Sequence, residues 1–96
     1  MIELFDGYVI IVDPYNYALG KKRLSVTKNG DIEERTDYIA YCTSLKTALE
    51  AFNRQLVKEQ LKKGTRTLAE ALTIVRETEK RLERFIADNI PEIERI

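Results

Sequence analysis

The sequence predicts an α+β domain, a three-stranded antiparallel β-meander followed by an antiparallel helical hairpin in the order β-β-β-α-α. Two observations predict it. The first 42 residues hold β-branched and aromatic runs separated by turn signals, Asp13-Pro14-Tyr15-Asn16 and Asn29-Gly30. From residue 43 the apolar residues recur at helical spacing, with a serine, a threonine and a glycine where helices start and stop. At 96 residues the chain is the size of one domain. It divides into a meander (1–42), a helical hairpin (43–88) and a tail (89–96).

The first strand is Tyr8-Val9-Ile10-Ile11-Val12, apolar on both faces and so suited to a position covered on both sides. Pro14 presets φ for a turn, and Asp13 and Asn16 favour one, so the chain reverses into Tyr17-Ala18-Leu19. Gly20 interrupts this second strand and marks a candidate bulge. The strand resumes at Arg23-Leu24-Ser25-Val26, with Leu24 and Val26 on one face. Asn29-Gly30 then closes a hairpin, and a third strand runs from about Ile32 to Cys42. A two-residue loop would set Lys28 against Asp31 and Lys22 against Asp37, both opposite-charge pairs. A three-residue loop is the alternative. The tip reads as polar on both faces and is expected to project past the core. In the order 1-2-3 the apolar first strand lies at an edge. Such an edge invites pairing unless covered, so self-association is expected there or through the helix faces.

Ser44 is the expected N-cap of a helix through about Lys62, with Leu45, Ala48, Leu49, Phe52, Leu56 and Leu61 on its apolar stripe. Gly64 supplies the C-terminal stop. Thr67-Leu68-Ala69-Glu70 is a capping box for a second helix to about Ala87. Its stripe is Leu68, Ala71, Leu72, Val75, Leu82, Phe85 and Ile86, interrupted by Glu79. Asp88-Asn89-Ile90-Pro91 ends it, because proline disfavours helix in the residue before it.

Composition narrows the chemistry. There is no histidine, which removes the commonest general base and metal ligand. The single cysteine, Cys42, admits no intrachain disulfide and suits a reducing compartment; within its apolar strand it is expected to be a small buried hydrophobe. The four glycines stand apart, so no glycine-rich phosphate loop is present. The chain lacks the apolar run of a membrane span and the basic, then apolar, start of a signal peptide, which predicts a cytoplasmic protein. No catalytic residue, cofactor site or metal site is assigned, and a non-enzymatic role follows. Asp31, Glu33, Glu34 and Asp37 cluster near the hairpin tip, but Glu33 and Glu34 point to opposite faces of a strand and lysines lie across from them.

Charge is the remaining signal. Sixteen basic and sixteen acidic side chains balance overall, so a whole-surface attraction to nucleic acid is unsupported. Locally the balance is uneven. Residues 43–66 hold six basic and two acidic groups, net +4, and 1–42 and 67–96 each net −2. Arg54, Lys58 and Lys62 follow one another at i, i+4, i+8 along one helical face, and Lys63 and Arg66 extend the group. These five form a candidate binding patch for phosphates or an acidic partner. The plainer alternative is a solvated face, with the late lysines answering the helix dipole and Glu50–Arg54 and Glu59–Lys63 pairing along the helix. Tyr15 and Tyr17, beside Lys21, Lys22 and Arg23, could stack on bases, or serve as ordinary sheet residues. The same basic strand is the only support for nucleotide capture between protomers.

The apolar first strand, the Asp13-Pro14-Tyr15-Asn16-Tyr17 turn, the Asn29-Gly30 hairpin, the run Tyr41-Cys42-Thr43-Ser44-Leu45-Lys46-Thr47-Ala48-Leu49 and the charged helical pair together resemble a group of small uncharacterised bacteriophage and prophage proteins. Those proteins share a short meander and a Tyr-x-Ser/Thr-Ser-Leu-x-x-Ala-Leu start to the first helix. A glutamate often stands three residues after the serine; Thr47 stands there in this chain. The resemblance implies a phage-encoded accessory protein in the bacterial cytoplasm, and carries no catalytic residues. The expectation is a protein that binds a host or phage protein, in an anti-defence, replication or transcription role, and that forms a homodimer. The alternative is a small nucleic-acid-binding module using the basic patch.

Overall fold

The computed structural model describes residues 1–89. Its elements are β1 (Ile2–Glu3), β2 (Tyr8–Val12), β3 (Tyr17–Val26), β4 (Ile32–Cys42), α1 (Leu45–Leu61) and α2 (Leu68–Asn89). The fold is α+β: one antiparallel sheet in the order β1-β2-β3-β4, then two helices. Of the predicted tail, Asn89 closes α2, and the remainder lies outside the described residues. The chain forms two compact units, the first Met1–Phe52 and the second beginning at Asn53.

The sheet has four strands, not three. β1 pairs with β2 through Ile2↔Ile10 and Glu3↔Val9. The connection is an Asp6-Gly7 turn in which both residues take positive φ, 58° and 81°, and Leu4 N–H donates to Tyr8 C=O at 2.9 Å. The apolar β2 is therefore an inner strand, and the outer edges are the two-residue β1 and the eleven-residue β4. Asp13 organises the β2–β3 turn as expected: its Oδ1 accepts from Tyr15 N–H (2.8 Å) and Asn16 N–H (2.7 Å).

The β3–β4 ladder changes register once. Near the base, Tyr17↔Cys42, Ala18↔Tyr41 and Leu19↔Ala40 pair; the next pair is Gly20↔Tyr38, which leaves Ile39 as the extra residue of a bulge. Gly20 thus sits at the irregularity that its sequence signalled. Beyond it the pairs are Lys21↔Asp37, Lys22↔Thr36, Arg23↔Arg35, Leu24↔Glu34 and Val26↔Ile32. The loop is the three-residue alternative: Gly30 N–H donates to Thr27 C=O (3.0 Å), Thr27 N–H donates to Asp31 C=O (2.8 Å), and Gly30 alone takes positive φ. The pairings that a two-residue loop would give, Lys28–Asp31 and Lys22–Asp37, do not form. Asp37 pairs with Arg23 instead, and Lys22 Nζ lies 3.6 Å from Glu3 and 3.4 Å from Glu34.

The core of the first unit is Tyr8, Val9, Ile10, Ala18, Leu19, Ala48, Ala51 and Phe52. Tyr8, Ile10 and Leu19 share the sheet face on which Phe52 packs, its ring centroid 5.1 Å from that of Tyr8 and 4.9 Å from that of Phe5. On the reverse face Gly20 has to be glycine. A Cβ there would stand 2.6 Å from Thr36 Cγ2 and 3.3 Å from Asp37 C=O. Cys42, expected to be buried, is half-buried at the end of β4.

Both helix starts are capped. Thr47 N–H donates to Ser44 Oγ and Ser44 N–H to Thr47 Oγ1, each at 3.2 Å, so Thr47 performs the part a glutamate plays in a capping box. Glu70 N–H donates to Thr67 Oγ1 at 3.2 Å, and the Thr67 hydroxyl donates to Glu70 Oε1 at 3.1 Å. In α2 the buried positions are Thr78 and Leu82, with Ala71, Ile74, Val75, Phe85 and Ile86 half-buried. Leu68 and Leu72, placed on the stripe by their spacing, are exposed. Glu79 does not interrupt the inward line, because Thr78, one helical step earlier, occupies it.

Candidate functional interface

Beyond Lys22, whose N–H donates to Gly7 C=O, strands β3 and β4 pair only with each other. Residues 23–35 form a two-stranded arm. Pleat alternation gives the arm two unlike faces. Arg23, Ser25, Glu33 and Arg35 lie on the face continuous with Tyr8 and Leu19. Leu24, Val26, Ile32 and Glu34 lie on the other.

The apolar members of that second face are open to solvent: Leu24 is 76 % exposed, and Val26 and Ile32 are 73 % exposed. The tip projects as expected but is not polar on both faces. Toward the sheet the face continues through the Lys22/Thr36 row to Tyr38 and Tyr41, 51 % and 67 % exposed, whose rings stack with centroids 5.8 Å apart and planes 22° apart. Lys22 bridges Glu3 and Glu34 in the middle of this strip. The surface therefore has two apolar patches and, between them, a polar row in which one lysine serves two glutamates. Val26 and Ile32 face each other across the ladder and the two tyrosines stack, yet all of them keep most of their apolar surface in water, and exposed apolar patches commonly mark contact sites. Sequence spacing placed Leu24 and Val26 on one face. Whether that face was inward or outward depended on what packs over it, which spacing does not encode.

The basic residues predicted as a patch are all exposed. Arg54 and Lys58 lie on α1, and Lys62, Lys63 and Arg66 lie just past its end. Lys62 N–H donates to Lys58 C=O at 3.1 Å, continuing the last turn, and the Arg66 guanidinium reaches Gln60 C=O at 3.4 Å. Among the described residues no ion pair engages Arg54, Lys58, Lys62 or Lys63. The intrahelical pairs expected from Glu50–Arg54 and Glu59–Lys63 therefore do not neutralise Arg54 or Lys63.

The tyrosine platform is not assembled where the sequence placed it. Tyr15 stands out at a turn, Tyr17 is half-buried at the start of β3, Lys21 Nζ sits 4.9 Å from the Tyr8 ring centroid, and Arg23 is held by Asp37. The stacked pair is Tyr38–Tyr41. The carboxylates of the arm do not converge: among the described residues no group of three or more metal-binding side chains comes together. No described helix is long and apolar enough to cross a membrane. No family model, curated protein or solved structure matches the chain.

Proposed function

We propose that this chain is a non-enzymatic binding module whose partner is another protein, contacted through the apolar face of the β3–β4 arm. The observation that carries this is the exposure of Leu24, Val26 and Ile32 together on one face of a projecting ribbon, with stacked Tyr38 and Tyr41 behind them. Aliphatic and aromatic side chains are the groups that make up the desolvated centres of protein interfaces. The resemblance to phage and prophage proteins supports a phage-encoded accessory role in the bacterial cytoplasm, with a host or phage protein as the target.

A second reading has its own support. Arg54, Lys58, Lys62, Lys63 and Arg66 cluster without ion pairs at the end of α1, which fits a nucleic-acid-binding module on an antiparallel helical hairpin. The protein reading ranks first because lysines late in a helix are already favoured by its dipole, whereas cross-strand contact gives Leu24, Val26 and Ile32 only part of what covering them would add.

Capture from bacterial lysate on the immobilised chain, with and without nuclease, separates the two. The expected result is a discrete protein that survives nuclease and is lost from a Leu24→Asp/Ile32→Asp variant. Retention by that variant, or material that nuclease removes and that Lys58→Glu/Lys62→Glu no longer binds, would contradict it.

A further inference from the structure

The open edge of β4 carries a charge arrangement that its own hairpin leaves unresolved. Arg23 and Arg35 face each other directly across the ladder, and like charges in that position repel. Asp37 relieves only one of them, pairing with Arg23. Among the described residues Arg35 has no ion pair.

The main chain at this edge is available as well. Thr27 N–H donates to Asp31 C=O, so by alternation Ser25/Glu33, Arg23/Arg35 and Lys21/Asp37 exchange their hydrogen bonds inside the hairpin. The complementary set, Ile32, Glu34, Thr36 and Tyr38, turns N–H and C=O outward. Lys22, opposite Thr36, agrees with this parity: its N–H goes the other way, to Gly7. The opposite edge of the sheet is the two-residue β1, so β4 is the edge with room for another strand.

We infer that β4 pairs antiparallel with β4 of a second copy of this chain, about a two-fold axis at Thr36. In that register Thr36 faces Thr36, and Glu34 faces Tyr38 of the second copy, with main-chain hydrogen bonds at each of these positions. Arg35 then faces Asp37 of the second copy, and Asp37 faces its Arg35, both in positions where side chains approach closest. Shifting the axis to Arg35 instead sets Glu33 against Asp37, and shifting it to Asp37 or Glu34 sets like charges against each other on the axis itself. Only the Thr36 register among these is free of like-charge contacts. The bulge at Ile39 limits the new ladder to about residues 33–38 of each chain. This interface uses the strand edge and leaves the apolar face of the arm free on both copies.

Sedimentation velocity on the full chain across a concentration series tests this, with three variants. Arg35→Asp places an acid opposite Arg23, which favours the hairpin, and opposite Asp37 of the second copy, which opposes the dimer; it should raise the dimer dissociation constant roughly tenfold or more. Adding Asp37→Arg to it restores two opposite-charge pairs across the axis and should recover dimerisation. Thr36→Pro removes an outward N–H that the hairpin does not use, and should yield a folded monomer, as proline at a free strand edge is tolerated. A wild-type monomer at sub-millimolar concentration would overturn the inference. So would a dimer indifferent to Arg35→Asp and Thr36→Pro, or one that Asp37→Arg fails to restore in the Arg35→Asp background.

Discussion

Replacing Phe52 with alanine should remove roughly a fifth or more of the stability of the fold. Phe52 is fully buried, and its ring meets those of Phe5 and Tyr8 at tilted angles of 60° and 55°. Truncating a buried phenylalanine costs about 3–5 kcal/mol, through lost transfer energy and the cavity left behind. A domain of this size has on the order of 5–14 kcal/mol in total. Because about 1 kcal/mol shifts the melting temperature of such a domain by roughly 4–8 °C, the variant should melt well over 10 °C lower. Leu24→Ala serves as the control. It removes about half as much apolar side chain, from a site 76 % exposed, and should change stability by less than about 0.5 kcal/mol. Urea denaturation of the two variants checks both numbers. A Phe52→Ala loss under about 1 kcal/mol would mean the sheet is not held by the packing described.

Gly20→Ala is expected to destabilise despite an ordinary backbone conformation at that position. Two effects oppose each other. Alanine restricts the unfolded chain and is preferred over glycine in a strand interior by about 0.5–1 kcal/mol. Against this, the new methyl would lie 2.6 Å from Thr36 Cγ2 and 3.3 Å from the Asp37 carbonyl oxygen. The threonine methyl sits on a stiff β-branched side chain, and the carbonyl belongs to the ladder next to the bulge. Overpacking of this kind costs about 1–3 kcal/mol, so the clash wins. Thr36→Ser deletes the nearer obstacle and keeps the hydroxyl. In a double-mutant cycle by urea denaturation, Gly20→Ala should cost about 1 kcal/mol less in the Thr36→Ser background. Strict additivity would show that the space over Gly20 is not what requires glycine.

The parts of the fold that local chemistry decides were legible in the sequence. Asp13 makes its own turn through its side chain, and Ser44 and Thr67 start helices by capping them. What failed was set at longer range or by shorter signals. β1 is only two residues, and its indication was the Asp6-Gly7 pair between Leu4-Phe5 and Tyr8-Val9, a hairpin signal of the same kind as Asn29-Gly30. Gly20 announced a bulge, but the extra residue is Ile39 on the facing strand. The base of the hairpin keeps the register of a two-residue loop, and the tip, one residue out of step with it, closes on three. On α2 the apolar periodicity favoured Leu68 and Leu72 over Thr78, yet Thr78 lies four residues before Leu82 and is buried with it.

The candidate sites divide in the same way. The basic patch was readable because charge and spacing are sequence properties, and the structure adds that Arg54, Lys58, Lys62 and Lys63 form no ion pairs among the described residues. The apolar face of the arm was not readable. Leu24, Val26 and Ile32 alternate as core-facing strand residues do, and only the end of β2 pairing at Lys21 leaves them projecting.

Photo-crosslinking tests the assignment of that face most directly. A photoreactive residue is placed at Val26 in one variant and at Lys58 in another, and each is irradiated in lysate of a bacterial host. A discrete protein adduct is expected from position 26 and none of matching identity from position 58. Adducts formed only from position 58, or nucleic acid in place of protein, would contradict it and move the contact to the basic end of α1.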